Sequence, residues 1–341
     1  MRPNVRCLNI KDRCLGGRVD RGEAEAEVTQ MIRVPDGRRV AVECWGDPKG
    51  FPVFLLHGTP GSRIGPVPRA PLLYQLGIWL ISYDRPGYGG SDRQKGRAVA
   101  DAALDVLDIA DQLEVAEFGV VGRSGGGPHA LACAALLDAQ RLRSVSVLVG
   151  LAPHDAQGLD WFDGMTPSNV SDYDSASTQD DDEVITDLTQ RAKEIRENPE
   201  TLLYALEGEM SEPDKRIATD AGIRRRLLET YREALKHGAG GWIDDVFAFR
   251  NPWGFSLGKI KVPVRLWHGG RDVFSPPEHS RWMARQIPNA TIEIEAEAAH
   301  FGAMEVLPRV LARLRADALP GPGAGSEGRG VEGAQYQSAL A

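Results

Sequence analysis

The feature that most constrains the fold of this chain is the alternation of short apolar runs with longer helical patterns. Wholly apolar runs predict strands at residues 52–56, 78–83, 118–121, 144–151 and 262–267. Such runs are typical of strands that are buried on both faces of a sheet. Helices are predicted between them, at residues 71–76, 98–113, 126–137, 277–286 and 304–316. Strands that alternate with helices predict an α/β fold, with a mostly parallel central sheet and helices on both faces.

Weaker strand signals lie at both ends of this alternation. Residues 28–34 and 40–45 flank the turn Pro35-Asp36-Gly37, a pattern that predicts a β-hairpin. Residues 291–294 alternate between apolar and polar side chains, as an edge strand does. We therefore expect the core to comprise residues 28–153 and 259–318.

The alternation is interrupted between residues 154 and 258. This segment is acidic near residues 172–183 and has a helical pattern from residue 184 to residue 235. Because an insertion of this length does not stay a plain loop, we expect a mainly helical lid. The polar segments at residues 1–27 and 319–341 are expected to be a disordered leader and a disordered tail.

Composition excludes several classes of function. The 341 residues carry a net charge of −8 without a Lys/Arg cluster, which disfavours a nucleic-acid partner. No apolar run approaches the roughly 18 residues that a membrane span needs, and no signal-type apolar segment is present, so a cytoplasmic location is expected. The four cysteines are scattered, which predicts free thiols rather than a disulfide framework or a zinc site.

The motif G-x-S-x-G occurs twice, at residues 122–126 and at residues 254–258. A serine nucleophile needs a buried strand that leads into it and a helix that leads away, so that it lies on a tight turn. Ser124 has both, whereas Ser256 is followed by no helix. A phosphate-binding turn is the alternative for residues 122–126, but the P-loop and dinucleotide-binding spacings are absent. Ser124 is therefore the predicted nucleophile.

A second glycine-rich turn, at residues 57–62, follows the strand at residues 52–56. It can place a backbone N–H beside the one that follows the nucleophile, so the N–H groups of Thr59 and Gly125 are the predicted oxyanion hole. His57 is expected to brace this turn, because the catalytic base of such a site comes last in the chain.

The motifs at residues 57–61, 84–89 and 122–126 together resemble those of the α/β-hydrolase family, and the resemblance extends over roughly residues 28–318. It implies an acid after the seventh strand and a histidine after the eighth. Asp272 and His300 occupy these positions, which gives the chain order Ser, Asp, His. Two rivals stay open: His268 as the base, and Asp155 as the acid, since some members take their acid after the strand that precedes the lid.

The resemblance implies a serine hydrolase that forms an acyl-enzyme on a small ester, lactone or related acyl substrate, with no metal or organic cofactor. A prolyl-iminopeptidase-like enzyme is the first alternative, with carboxylates of the lid that bind a substrate amine: Glu207, Glu209 and Glu212. Thr59 and Gly125 depart from the pattern of that group, which usually has Gly and Trp there. A non-catalytic ligand receptor on the same fold is the second alternative.

Overall fold

The core of the chain is a twisted sheet flanked by helices. A computed structural model describes residues 29–178 and 181–318, and within these residues the sheet has eight strands. In chain order the strands are β1 (Gln30–Arg33), β2 (Arg39–Gly46), β3 (Phe51–Leu56), β4 (Ile78–Tyr83), β5 (Phe118–Arg123), β6 (Leu142–Leu148), β7 (Val264–Gly269) and β8 (Ala290–Glu295).

The strands lie side by side in the order β1-β2-β4-β3-β5-β6-β7-β8. The β1–β2 hairpin is antiparallel, and β2 also pairs with β4 in antiparallel fashion, whereas all pairs from β4 to β8 are parallel. The carboxyl ends of parallel strands meet at one edge of a sheet, where α/β proteins bind their ligands. The loops that follow β3, β5 and β7 therefore carry their polar residues to the same edge.

Helices cover both faces of the sheet and also form an insertion after β6. The core helices before the insertion are α1 (Ala70–Leu76), α2 (Ala102–Gln112) and α3 (Gly126–Leu136). The insertion, residues 154–258, contains α4 (Pro167–Thr178), α5 (Asp181–Glu197), α6 (Glu200–Glu209), α7 (Glu212–Ala218), α8 (Ala221–Ala234) and α9 (Gly240–Arg250). The core resumes with α10 (Pro277–Gln286) and α11 (Gly302–Ala318).

The apolar core lies in two layers, one on each side of the sheet. Leu73 of α1 and Leu311 of α11 pack with Val121 of β5 on one face. On the other face, Ile109 of α2 and Leu131 of α3 belong to a larger cluster, which continues into the insertion. Side chains that alternate along β5 contribute to both layers, as expected for a strand that is buried on both faces.

The insertion is helical, but it is more divided than the sequence pattern over residues 184–235 indicates. Val184, Leu188 and Ala192 are buried along one face of α5, at the spacing of an amphipathic helix. Pro199 and Pro213 then lie at the beginnings of α6 and α7. Proline lacks an N–H and is tolerated only in the first turn of a helix, so each proline starts a new helix.

The predicted strand at residues 144–151 was wrong at its carboxyl end. β6 ends at Leu148, because Val149 has a φ of 48°, which an extended strand does not allow. The Val149 carbonyl instead accepts a hydrogen bond from the Ser275 hydroxyl at 2.7 Å. The chain therefore leaves the sheet three residues earlier than predicted and crosses behind the loop that follows β7.

Some predictions fall on residues that the structure does not describe. The expected leader (1–27) and tail (319–341) lie outside the described residues, as do Cys7 and Cys14. Cys133 is a buried free thiol. Within residues 29–178 and 181–318, no helix combines the length and the apolar character that a bilayer crossing requires.

Candidate active site

Ser124 lies on a strained turn between β5 and α3. Its φ of 53° is in the left-handed region, which is uncommon for a residue with a side chain and is found at functional sites. A Cβ at Gly122 would lie 2.2 Å from the Gly126 carbonyl oxygen, and a Cβ at Gly126 would lie 2.2 Å from that of Leu56. Only glycine fits at these two positions, and the turn therefore presents Ser124 at the carboxyl edge of the sheet.

Asp272 and His300 form a hydrogen-bonded pair beside this turn. The His300 ring nitrogen Nδ1 donates to Asp272 Oδ2 at 2.8 Å. The N–H groups of Phe274 and Ser275 donate to Asp272 Oδ1 at 2.9 and 3.0 Å, which fixes the carboxylate. With its proton on Nδ1, the imidazole has a lone pair on Nε2 with which to accept a proton.

The charges of this pair stabilise each other. Burial would raise the pKa of Asp272, but the facing charge of His300 and hydrogen bonds from His268 and His300 hold that pKa well below its usual range. Burial would likewise lower the pKa of His300, and the Asp272 carboxylate overcomes this effect, so the pKa of His300 is raised. Asp272 is therefore an ionised partner for the imidazole at neutral pH.

The predicted nucleophile and the predicted base line one cleft. Ser124 and His300 are both among its lining residues. No hydrogen bond joins the Ser124 hydroxyl to the His300 ring in the described part of the chain, so the contact that we expect between them stays a prediction. Such contacts are often long in unliganded enzymes and tighten when a substrate binds.

The rival candidates lie elsewhere. Asp155 is exposed in the loop after β6, and Asp272 rather than Asp155 contacts His300. His268 is fully buried behind the pair, where its Nε2 lies 2.6 Å from the Ser275 carbonyl oxygen and 3.2 Å from Asp272 Oδ2. Ser256 is exposed and precedes a short 3₁₀ turn, away from the cleft residues.

Thr59 and Gly125 lie against each other beside the nucleophile. A Cβ at Gly125 would lie 2.2 Å from Thr59 Oγ1, so the Thr59 side chain occupies the space that a side chain at residue 125 would need. The ring of His57 donates from Nδ1 to the Gly58 carbonyl at 2.8 Å and accepts the Arg85 N–H at Nε2 at 3.1 Å. Burial, reinforced by the charge of Arg85, lowers the pKa of His57 well below its usual value, so His57 is a neutral brace of this turn.

Asp245 of α9, in the insertion, accepts hydrogen bonds from several side chains of the core. The sequence analysis did not identify this carboxylate. It is fully buried. Five core side chains donate to it: Thr59 Oγ1 at 2.6 Å, Arg85 Nη2 at 2.7 Å, Tyr88 Oη at 2.8 Å, Arg97 Nη2 at 2.6 Å and His129 Nε2 at 3.2 Å. Two adjacent carboxylates, Asp244 and Asp245, within the otherwise apolar stretch 242–249 were the available signal, because a buried charge requires partners.

Asp214 of α7 is a second carboxylate that the sequence analysis missed. It accepts the backbone N–H groups of His300 at 3.2 Å and of Phe301 at 2.7 Å, and its side chain is fully buried. Burial raises the pKa of Asp214 to about 6, against the opposing charge of His300. The insertion therefore holds the loop of His300 as well as the turn that contains Thr59.

The walls of the cleft come from the core and from the insertion. Besides Ser124 and His300, its lining residues are Thr59, Pro60, Leu151, Ser168, Asn169, Asp172, Tyr173, Arg191, Leu202, Leu206, Tyr231, Trp242, Phe274, Ser275 and Phe301. Arg191 pairs with Asp172 and lies 4.8 Å from the centre of the Trp242 ring. The cleft therefore combines aromatic and aliphatic walls with a few polar groups, as small-molecule sites do.

The carboxylates proposed for an aminopeptidase have other partners. Glu207 pairs with Arg224, Glu212 pairs with Lys215 at 2.8 Å, and Glu209 accepts hydrogen bonds from Ser168. None of these three carboxylates is a lining residue of the cleft.

Comparison with known proteins gives the family. The family model for the alpha/beta hydrolase fold matches residues 52–306. This chain therefore belongs to the α/β-hydrolase fold family.

Individual relatives are distant. The AB hydrolase superfamily protein YisY of Bacillus subtilis is 24% identical over 253 residues, which are 74% of this chain and 85% of that protein. The uncharacterized hydrolase YcgS of the same species matches over only 83 residues, or 29% of its length, at 29% identity. A hydrolase of Pseudomonas aeruginosa superposes with a TM-score of 0.64 at 18% identity, with 85% of this chain and 97% of that chain covered. An esterase of Thermogutta terrifontis has a TM-score of 0.60 at 20% identity, with the same coverage. These structures show the fold that the chain shares with them.

Proposed function

We propose that the protein is a serine hydrolase that cleaves a small carboxylic ester, lactone or related acyl compound. One observation carries the proposal: Ser124, on its strained turn, lines the same cleft as His300. The Nδ1 atom of His300 is hydrogen-bonded to the ionised carboxylate of Asp272. A serine hydroxyl needs such a base to become a nucleophile, and the carboxylate orients the imidazole and stabilises its charged form.

In the proposed mechanism, His300 Nε2 removes the Ser124 proton while Ser124 Oγ attacks the substrate carbonyl carbon. The bond to the leaving oxygen then breaks, His300 returns the proton to that oxygen, and the acyl group stays on Ser124. Water, deprotonated by His300, attacks the acyl-enzyme in the same way and releases the acid. Each half-reaction returns His300 to its neutral state.

The developing oxyanion is stabilised by the N–H groups of Thr59 and Gly125 in this proposal. Thr59 packs on Gly125, and Gly125 lies directly before α3, whose amino-terminal end favours negative charge. One such donor contributes a factor of about 10²–10³ to turnover in comparable sites.

We also propose that the insertion, residues 154–258, is a lid domain on a core of residues 28–153 and 259–318. Side chains from five of its helices line the cleft with Ser124, among them Tyr173, Arg191, Leu202, Tyr231 and Trp242. The free volume of about 100 Å³ is small, which favours a compact acyl group. The partner of the protein is then a small-molecule acyl substrate.

The proposal is tested with a fluorophosphonate probe and short p-nitrophenyl esters. We expect the wild type to be labelled and to hydrolyse the esters, and Ser124→Ala to lose both properties while it keeps the wild-type circular dichroism spectrum. Ser256→Ala is the matched control, because it removes the serine of the second motif, and it should behave as the wild type. A wild-type protein that is neither labelled nor active would contradict the proposal and favour a ligand receptor.

A further inference from the structure

Arg123, the residue directly before the nucleophile, has no partner for its charge. It lies at the end of β5 and is half-buried. In the described part of the chain it makes no hydrogen bond and no ion pair, and its Nη1 is sealed from solvent without an acceptor. A guanidinium in such surroundings is unfavourable unless an anion joins it.

Other arginines buried in the core show the usual arrangement. Arg63 pairs with Glu43 and Asp84, Arg97 pairs with Asp245 at 2.6 Å, and Arg85 pairs with the same carboxylate at 2.7 Å. Arg123 therefore departs from the pattern that the rest of this core follows. A charge that is kept unpaired beside a nucleophile points to a partner that arrives with the substrate.

Arg123 is not itself a lining residue of the cleft, but Ser124, the next residue in the chain, is one. The Nη2 atom of Arg123 lies next to Gly65, at 3.6 Å from where a Cβ on that residue would be. Tyr231 and His300 both line the cleft, and both interact electrostatically with the guanidinium. Burial lowers the pKa of Arg123, and only Tyr231 opposes this effect, so no carboxylate of the described chain faces the group.

Arg191, the arginine among the lining residues, is already compensated. It pairs with Asp172, lies 3.6 Å from an oxygen of Asp187, and stacks on Trp242. A substrate anion that approached Arg191 would have to compete with these carboxylates. Arg123 has no ion-pair partner among the described residues with which an incoming anion would have to compete.

We propose that Arg123 is the anion-binding residue of the substrate site, and that the preferred substrates carry a carboxylate close to the acyl group that is cleaved. Half-esters of short dicarboxylic acids represent this class. The inference rests on the proposed function, because it assigns the substrate of the same cleft. A guanidinium binds a carboxylate through charged hydrogen bonds, and within the described residues no hydrogen bond already occupies the side-chain N–H groups of Arg123.

The test compares matched substrates by the ratio of their kcat/KM values. The charged substrates are mono-p-nitrophenyl succinate, glutarate and adipate. This series varies the distance between the ester and the free carboxylate, so that the chain length that best reaches Arg123 can be found. Each is paired with its neutral counterpart, in which the free carboxylate is a methyl ester. We expect the wild type to prefer one charged substrate by about tenfold or more, as a charged hydrogen bond of this kind allows.

Arg123→Met should reduce that ratio by about tenfold, and Arg123→Lys, which keeps the charge without the planar fork, should reduce it less. Arg225→Met removes an exposed arginine of α8 and should leave the ratio at the wild-type value. If Arg123 acted only on the pKa of His300, its removal would shift the pH profile for both substrates and leave the ratio unchanged. That result would overturn the inference.

A measurement on the wild type covers the case in which Arg123→Met does not fold. Free glutarate should inhibit hydrolysis of the neutral ester competitively, more strongly than glutaramide does, and added salt should weaken this inhibition. Equal inhibition by the two compounds, or a wild-type preference for the neutral ester, would refute the inference. Neither result would contradict the proposed hydrolase function. Failure of the proposed function is recognised separately, because neither ester would then be hydrolysed.

Discussion

At the scale of single residues, two carboxylates contact different parts of His300. Asp272 contacts the ring, whereas Asp214 accepts the backbone N–H groups of His300 and Phe301. Both negative charges raise the pKa of the imidazole. Because the proposed base must be neutral to accept a proton, we expect activity to be lost as the pH falls through this raised pKa.

Asp214→Asn should therefore shift the acid limb of kcat/KM to lower pH, by about half a pH unit for one partly screened charge. As the pH falls toward about 6, where Asp214 is still ionised in the wild type, the variant should keep a larger fraction of its maximum activity than the wild type does. The measurement is a pH profile between about pH 4 and pH 9 on one neutral ester. Asp155→Asn is the matched control, since this carboxylate is exposed and does not contact His300. An acid limb that moves upward would contradict the argument.

The assignment of Asp272 as the proposed catalytic acid can be tested with the same control variant, Asp155→Asn. Asp272→Asn should reduce kcat by about 10⁴, because the amide no longer fixes the tautomer of His300, and it should leave KM nearly unchanged. Asp155→Asn should stay within a factor of about two of the wild type. Turnover on a p-nitrophenyl ester measures both. Equal losses in the two variants would mean that another carboxylate orients the base.

The residues of the proposed catalytic site could be picked out from the sequence because their positions are imposed by local geometry. Ser124 needs glycines on either side, and Asp272 and His300 follow strands at a common edge. Asp214 and Asp245 were not accessible in this way. They act through contacts with residues far away in the chain, and no local pattern encodes which loop a helix of the insertion will meet.

At the scale of elements, helix α9 is coupled to the turn that contains Thr59. Asp245 of that helix accepts the Thr59 hydroxyl at 2.6 Å, and Arg85 links the same carboxylate to the Gly58 carbonyl at 3.0 Å. The orientation of the Thr59 peptide, and with it one proposed oxyanion donor, thus depends on an element outside the core.

Thr59→Val keeps the shape of this side chain and removes the hydroxyl. We expect kcat to fall by about tenfold with little change in KM, since a displaced donor acts on the transition state more than on substrate binding. Thr59→Ser keeps the hydroxyl and should retain most of the activity. If the serine variant lost as much as the valine variant, packing of the methyl group on Gly125 would be the cause instead.

The boundaries of elements were predictable where a proline or a glycine fixes them and less so elsewhere. The strand at residues 78–83 and the helix at residues 277–286 were predicted with the bounds that the structure has. The end of β6 was not, because the left-handed conformation of Val149 is held by Ser275, more than a hundred residues later. Tertiary contacts of this kind override the local preference of a valine-rich run for strand.

At the scale of the whole molecule, the insertion neutralises charges of the core. Arg85 and Arg97 are buried in the core, and both pair with Asp245 of the insertion. Replacement of residues 155–250 by a short linker would leave both arginines without this carboxylate, at a cost of about 3–5 kcal/mol for a broken buried pair. We expect the truncated protein to be unfolded or insoluble rather than a more open enzyme.

Asp245→Asn in the full chain tests the same charge alone. It should lower the midpoint of thermal unfolding by several degrees, as measured by circular dichroism, whereas Asp181→Asn at the exposed start of α5 should not. The result that would contradict this argument is a truncated protein, without the insertion, that is folded and active. Burial of Arg85 and Arg97 without Asp245 would then not destabilise the core.

The position of the insertion in the chain also determines when the site comes into existence. Ser124 precedes the insertion, while Asp272 and His300 follow it. During synthesis the proposed nucleophile leaves the ribosome well over a hundred residues before the proposed base, at a time when His300 is not yet present to activate it. We therefore expect a nascent or prematurely ended chain to be unreactive, and two separately expressed halves, divided within the insertion, to react with a fluorophosphonate only after they associate.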